Sequence, residues 1–264
     1  MSTLVMGILN VTPDSFADGG RHFTLSDAIR RSEEMIQEGV DIIDVGGEST
    51  RPGADRVSEA EERERTIPII KELVKLGVTV SIDTMRATIA REAIKAGARF
   101  INDVSGGLAD KEMTKVVVDH PEIQYIAMHW RAHSDQMQGK AIYKDVVREV
   151  KDELQDRLDT LISAGADPDQ LIIDPGIGFA KLSDHNWELL RNIDRLSLLG
   201  FPILIGASRK KFLGDLTSTH NPDDRDAASI AVTTLMAKAK IWGVRTHSVK
   251  PHKDAIAAVE KMYS

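Results

Sequence analysis

The chain has no cysteine, which excludes disulfides and thiolate metal sites and fits a reducing compartment. It also lacks any apolar run approaching the roughly 20 residues of a membrane span, and its amino terminus shows no basic region followed by an apolar stretch. These absences set the expectation of a cytoplasmic protein. Positive charge is not in excess either: 34 Lys and Arg stand against 41 Asp and Glu, a formal net charge of −7, which argues against a nucleic-acid binder. Linkers, low-complexity segments and homopolymeric charge runs are missing too, so nothing marks a second domain.

What is present is a repeated cadence. In LVMGILNVTPDSFADGG, residues 4–20, an apolar run ends at Asn10 and breaks into a loop of Thr, Pro, Asp and Gly. An amphipathic segment, Leu25 to Gln37, closes the unit. The same order of apolar strand, polar residue, Gly-containing loop and helix recurs. It passes through VDIIDVGG, VTVSIDT, RFINDVSGG, EIQYIAMH, QLIIDPGIGF, FPILIGASRKKF and WGVRTHSV. Expected helices run from about Ser58 to Leu76, Arg86 to Ala96, Lys111 to Val118, Tyr143 to Ser163, His185 to Leu198, Arg225 to Ala239 and Lys253 to Met262. Ser58 followed by Glu61 reads as a capping box.

Alternating strands and helices imply a parallel sheet covered by helices, because each strand needs a crossover to rejoin the sheet in parallel. Eight such units close as a (β/α)₈ TIM barrel, expected here as one α/β domain over residues 1–264. The rival is an open doubly wound sheet, but the first loop is NVTPDSFADGG and not GxGxxG.

In a barrel the carboxyl ends of the strands converge on one mouth. They carry Asn10, Asp44 with Glu48, Asp83, Asn102 with Asp103, His129, Asp174, Ser208 with Arg209 and Lys210, and Arg245 with His247. Carboxylates and an amide on the middle strands suit a planar, donor-rich group, and the cations of the last two strands suit phosphate. An acidic half facing a basic half is the expectation. Taken singly, each strand-end Asp is as compatible with capping the next loop. A basic run such as SRKK is usually a solvated face, but here it directly follows an apolar strand. The HxxxH spacing of His129 and His133 has no acidic third ligand at matching spacing, so a transition-metal site is the weaker reading.

The motifs GILNVTPDSFADGG, DVGGESTRPG, SIDT, INDVSGG, DPGIGFAK, GASRKKF and RTH together resemble the dihydropteroate synthase family, from Met6 to about Val259. The resemblance implies an enzyme that joins 6-hydroxymethyl-7,8-dihydropterin diphosphate to 4-aminobenzoate and releases diphosphate. It implies a pterin site at Asp83, Asn102, Asp174 and Lys210. Asn10, Thr50, Arg245 and His247 would hold diphosphate, with Mg²⁺ carried at Asn10. Phe16, Arg51, Pro52, Phe179 and Lys211 would border aminobenzoate. Asp83, Asp174, Lys210, Asp18 and Arg51 are the catalytic candidates, with Asp14, Phe16 and Thr50 also in the first two loops. A homodimer is implied as well. Lys211, Ser248 and Ala132 depart from the common pattern of Ser after SRK, of RxHD, and of Gly at the third position of HWRAH. Two other readings share a pterin-binding barrel: a methyltetrahydrofolate-binding methyltransferase domain and a non-catalytic pterin-binding module.

Overall fold

The computed structural model describes residues 2–12, 25–48, 56–133, 136–219 and 221–263. Its strands are β1 (Leu4–Asn10), β2 (Ile42–Gly46), β3 (Thr79–Asp83), β4 (Phe100–Asp103), β5 (Gln124–Met128), β6 (Leu171–Asp174), β7 (Leu204–Ile205) and β8 (Gly243–Thr246). All pair in parallel in the order β6-β5-β4-β3-β2-β1-β8-β7. The ends of that order meet through a parallel bridge between Ile173 and Ile203 and an Ile173 N–H to Pro202 carbonyl bond of 2.9 Å. The sheet is therefore closed, and the open-sheet alternative is set aside.

Helices α1 (Leu25–Gln37), α2 (Glu59–Lys75), α3 (Ala87–Ala96), α4 (Glu112–Asp119) and α5 (Val146–Ser163) follow β1 to β5. The helix expected after β6 is divided into α6 (Ser183–Arg191) and α7 (Ile193–Ser197). The break falls at Asn192, whose side-chain amide donates to the Glu188 carbonyl at 2.8 Å. A short polar side chain that bonds the backbone this way competes with helix continuation. After β7 comes α8 (Lys211–Thr217), in what reads as polar loop, then α9 (Asp226–Lys238); α10 (Lys250–Tyr263) follows β8. At seven residues α8 is too short to show a period, and burial of Phe212 and Leu213 holds it, with Phe212 edge-on to Trp187 at 4.9 Å. The capping box at α2 is half made: Ser58 Oγ accepts from the Glu61 amide at 3.2 Å, but the Glu61 carboxylate is taken by Arg65.

Two apolar layers result. The larger lies between strands and helices and contains Val5, Ile43, Val45, Ile82, Tyr125 and Ile173. The smaller fills the barrel interior with Met6, Ile42, Ile126, Ile172 and Leu204, backed by Phe100 and Trp242. Because side chains alternate along a strand, moving two residues on from this floor keeps the same inward direction. From Ile42 the next inward residue is Asp44, from Phe100 Asn102, from Ile172 Asp174, and from Gly243 Arg245. The interior is thus apolar at the amino end and charged toward the mouth. Among the described residues no helix is long and apolar enough to cross a membrane.

Candidate active site

The inward charged layer is bonded to itself. Arg245 Nε donates to Asp44 Oδ2 at 2.6 Å and its terminal nitrogen donates to Asp83 Oδ2 at 2.7 Å. Asn102 donates to the same Asp44 oxygen at 2.9 Å. Asp44 is fully buried and lies one layer below the strand ends, so it supports the mouth from beneath. Arg245 stands at the basic end of the sequence pattern yet bridges two carboxylates. The expected division into acidic and basic halves is therefore crossed by one guanidinium. Burial raises the Asp83 carboxyl to about 7, against the pull of Arg245 and with a further push from Asp44. Burial opposes the charge of Arg245 too, but Asp44 and Asp83 outweigh it and hold the guanidinium above its ordinary value.

Opposite stand Asp174 and Lys210. Asp174 Oδ1 accepts from the Gly176 amide at 2.7 Å. A β-carbon built at Gly206 would lie 3.8 Å from Asp174 Oδ2 and 3.9 Å from Lys210 Nζ, which places acid and amine at one glycine-lined spot. Lys210 Nζ also donates to the Ile177 carbonyl and lies 4.5 Å from the centre of the Phe179 ring. Burial raises Asp174, with Lys210 opposing, and burial lowers Lys210 to about 8, with Asp174 opposing. Buried ionisable groups perturbed in concert within a mouth are a mark of a functional site. Asn10 completes the rim: a β-carbon at Gly46 would lie 3.6 Å from both Asn10 Oδ1 and Asp83 Oδ2.

The SRKK run does not act as one patch. Ser208 Oγ bonds His247 Nδ1 at 3.0 Å. Arg209, in left-handed backbone at φ 57°, turns outward to a two-point pair with Asp226 at 2.7 and 2.9 Å. Lys210 turns inward, and Lys211 opens α8 exposed to solvent. Consecutive cations thus go to opposite sides. Asp103 and His129 also leave the mouth. Asp103 faces the helices and takes donors from the Ser105 and Gly107 amides at 2.8 Å and from Tyr125 Oη at 2.9 Å, which is the capping role. His129 faces α5, bonding Glu153 at 2.9 Å.

Asp83, Asn102, Asp174, Lys210, Asn10, Arg245, His247 and Phe179 thus gather at or just inside the carboxyl ends of the strands, and Lys211 sits at the edge. Asp14, Phe16, Asp18, Thr50, Arg51 and Pro52 lie outside the described residues. Two further cations stand outside the strand-end pattern, half-buried Arg86 and buried Lys181. Arg86 bonds Glu48 Oε2 at 2.8 Å, the Val57 carbonyl at 2.6 Å and buried Glu62. Both follow a strand and its turn by a few residues, the only signal that could have found them.

Residues 6–247 match the sequence profile of the family described as pterin binding enzyme. The chain is 47% identical over 261 residues to the dihydropteroate synthase of Mycobacterium leprae, covering 97% of this chain and 92% of that one. The chain belongs to the dihydropteroate synthase family. Solved members superpose closely. The Xanthomonas albilineans dihydropteroate synthase with 4-aminobenzoic acid has a TM-score of 0.93 at 39% identity, covering 100% of this chain and 94% of that one. The same organism's enzyme in complex with 7,8-dihydropteroate has a TM-score of 0.90 at 36% identity, with the same coverage.

In this family's mouth one glycine is testable at once. Gly178 has φ 81°, and a β-carbon there would come within 2.8 Å of Lys210 Cδ. Left-handed backbone costs a residue with a β-carbon about 1–2 kcal/mol, and the contact must displace the lysine. Gly178→Ala should therefore lower stability by about that amount, and an unchanged denaturation midpoint would show that the turn tolerates a side chain.

Proposed function

We propose that the chain joins 6-hydroxymethyl-7,8-dihydropterin diphosphate to 4-aminobenzoate, giving 7,8-dihydropteroate and diphosphate, by a dissociative displacement in the cytoplasm. One observation carries the reading: Asp174 with Lys210 faces Asp83 with Arg245 across a mouth floored by apolar side chains. Acceptors on Asp174 and Asp83 and the amide of Asn102 suit the donor edge of a pterin ring. Lys210, with a pKa of about 8, is mostly protonated at pH 7 and supplies a donor to the ring's acceptor atoms. A charged layer of this kind is pre-organised, because its partners are already in place before substrate arrives.

Bond breaking between carbon and the diphosphate oxygen then leaves a delocalised pterin methyl cation, which the two carboxylates stabilise. The arylamine is already neutral at pH 7 and attacks that carbon, afterwards losing a proton. Arg245 and His247 face the leaving group, and Phe179 and Lys211 border the amine.

Mg²⁺ is expected with diphosphate. Among the described residues no group of three or more His, Cys, Asp or Glu could hold a metal ion. Mg²⁺ keeps waters and phosphate oxygens and takes only one or two protein ligands. Asn10 Oδ1, on the rim beside Asp83, is one such oxygen. Bound there, the ion would neutralise charge on the leaving group. A second copy of the chain is expected to pair with it, as the family resemblance implies.

Mixing the protein with both substrates and Mg²⁺ should release diphosphate and form dihydropteroate in equal amounts, and a chelator should stop both. Release of diphosphate without coupled product would instead describe a hydrolase. A pterin-binding methyltransferase domain has no use for diphosphate groups such as Arg245 and His247 at this mouth, and a binding module would release nothing.

A further inference from the structure

Lys181 is a buried amine that the proposed reaction does not use. It is 4% exposed. Its Nζ lies 2.9 Å from His129 Nδ1 and donates to the Phe179 carbonyl at 3.0 Å. The far side of the imidazole completes a chain, with His129 Nε2 at 2.9 Å from Glu153 Oε2 and Arg131 pairing with Glu153 in turn. One set of proton positions satisfies every contact: Lys181 donates to Nδ1, and the Nε2 proton is donated to Glu153. The charges agree with that tautomer. Burial, and then Lys181 beside it, lowers His129 to about 4, so the ring is neutral. Glu153 sits at about 2, its burial outweighed by His129 and Arg131.

The turn that Lys181 holds is the one that shapes the mouth. Gly176 touches both systems: its amide donates to Asp174 Oδ1 at 2.7 Å, while a β-carbon on it would fall 3.3 Å from Lys181 Nζ and 2.5 Å from the His129 carbonyl oxygen. The Ile177 carbonyl accepts from Lys210, and the Phe179 ring lies against the Lys210 ammonium. Four consecutive residues, 176–179, therefore present their front to Asp174 and Lys210 and their back to Lys181 and His129.

We propose that Lys181 is a positioning residue: its ammonium, tied to His129 and to the Phe179 carbonyl, holds turn 176–179 where Gly176 caps Asp174 and Phe179 backs Lys210. It acts through those neighbours and does not touch the reacting atoms. The assignment rests on the reading of this mouth as the pterin site. A second effect is electrostatic. The charged groups around Lys181 are Asp174 on β6, Lys210 after β7, and Arg131 and Glu153 on the α5 side, with His129 at the end of β5. Burial lowers the Lys181 amine to about 7 and Asp174 is the largest influence opposing it, while Lys181 in turn helps hold Asp174 ionised.

The test compares Lys181→Met and Lys181→Arg with the parent chain, following diphosphate release, pterin binding by calorimetry between pH 6 and pH 9, and the melting midpoint. Parent turnover decides the functional reading by itself; the variants, scaled to the parent, decide the role of Lys181. If the parent does not turn over, the calorimetric arm still reads the inference. A misplaced first layer of about 1 Å costs up to about 100-fold. Lys181→Met should thus lose about 10- to 100-fold in kcat/KM while keeping a folded melt, with partial rescue in Lys181→Arg. The pH below which pterin binding fails should move upward in Lys181→Met, since Asp174 has lost a cation. A merely structural lysine would shift the melt and leave that pH unchanged. Parent-like kinetics and an unmoved pH profile in a folded Lys181→Met would overturn the assignment. Should Lys181→Met not fold, His129→Gln decides: a folded variant with lowered kcat/KM and weakened pterin binding supports it, and parent values on both counts overturn it.

Discussion

Arg245→Met should lower the unfolding free energy by about 3–5 kcal/mol at pH 8, because removing one partner of a buried ion pair strands the other charge. Here it strands two. Asp44 is fully buried and Asp83 is 7% exposed, and the guanidinium contacts them at 2.6 and 2.7 Å. Asn102 remains on Asp44, but Asp83 keeps no cation bonded to it among the described residues. The effect should depend on pH with a definite sign. Asp83 titrates at about 7 in the folded chain against an ordinary 3.8. The native state therefore holds that proton more tightly than the unfolded one. Its stabilising contribution is complete below the unfolded value and is lost as pH rises through about 7. Arg245 offsets that loss by favouring the carboxylate. Without it Asp83 moves further up, so the deficit of the variant should grow from pH 6 to pH 8. Denaturant titrations at the two values check this; equal deficits, or a deficit under about 1 kcal/mol, would mean that the pairs behave as solvated ones. The ligand arm revises an expectation from the sequence. If Arg245 served diphosphate alone, a pterin lacking diphosphate would bind the variant normally. Since the same guanidinium holds Asp83, both ligands should lose affinity, and calorimetry with each separates the two cases.

Asp174→Asn should keep the fold and suppress pterin binding by about 100-fold or more, the penalty for facing a donor with a donor in a buried site. The geometry decides which atom is which. Oδ1 accepts from the Gly176 amide, so the new amide must keep its oxygen there and turn its nitrogen to the Oδ2 position. That position lies toward Lys210 Nζ, near the spot where Gly206 has no side chain. The variant therefore places an amide nitrogen beside an ammonium and beside the donor edge of the ring. Lys210 also loses the carboxylate that resists its downward shift to about 8, so more of it becomes neutral near pH 7 and a second ring contact weakens. Tight pterin binding by a folded Asp174→Asn would mean that the ring is recognised elsewhere.

Strand ends and helix types were legible because alternation and helical period are local properties of a chain. Residues 25–37 were read with the bounds that the structure has, and the apolar-to-charged progression Ile42, Asp44 or Ile172, Asp174 follows from a period of two. Membership of a family was legible because the motifs keep their residue types and order. What remained hidden depends on direction in three dimensions. Arg209 and Lys210 are neighbours in sequence, but one pairs with Asp226 and the other turns to the mouth, a difference of direction that a basic run does not display. Asp103 looked like Asp83, and register puts it on the helix side, where four donors cap it. Arg245 and Asp44 are 201 residues apart, and no spacing rule connects them until the sheet closes through Ile173 and Ile203. Lys181 stood in a motif with no partner in view, because His129 and Glu153 come from other units. The sequence by itself determined most of the elements, the eight-unit α/β order and the family, through local periodicity and preserved motifs. Only the tertiary structure decided which charges face one another, because at distances under about 4 Å the energy of a buried pair turns on direction and burial that a one-dimensional pattern does not carry.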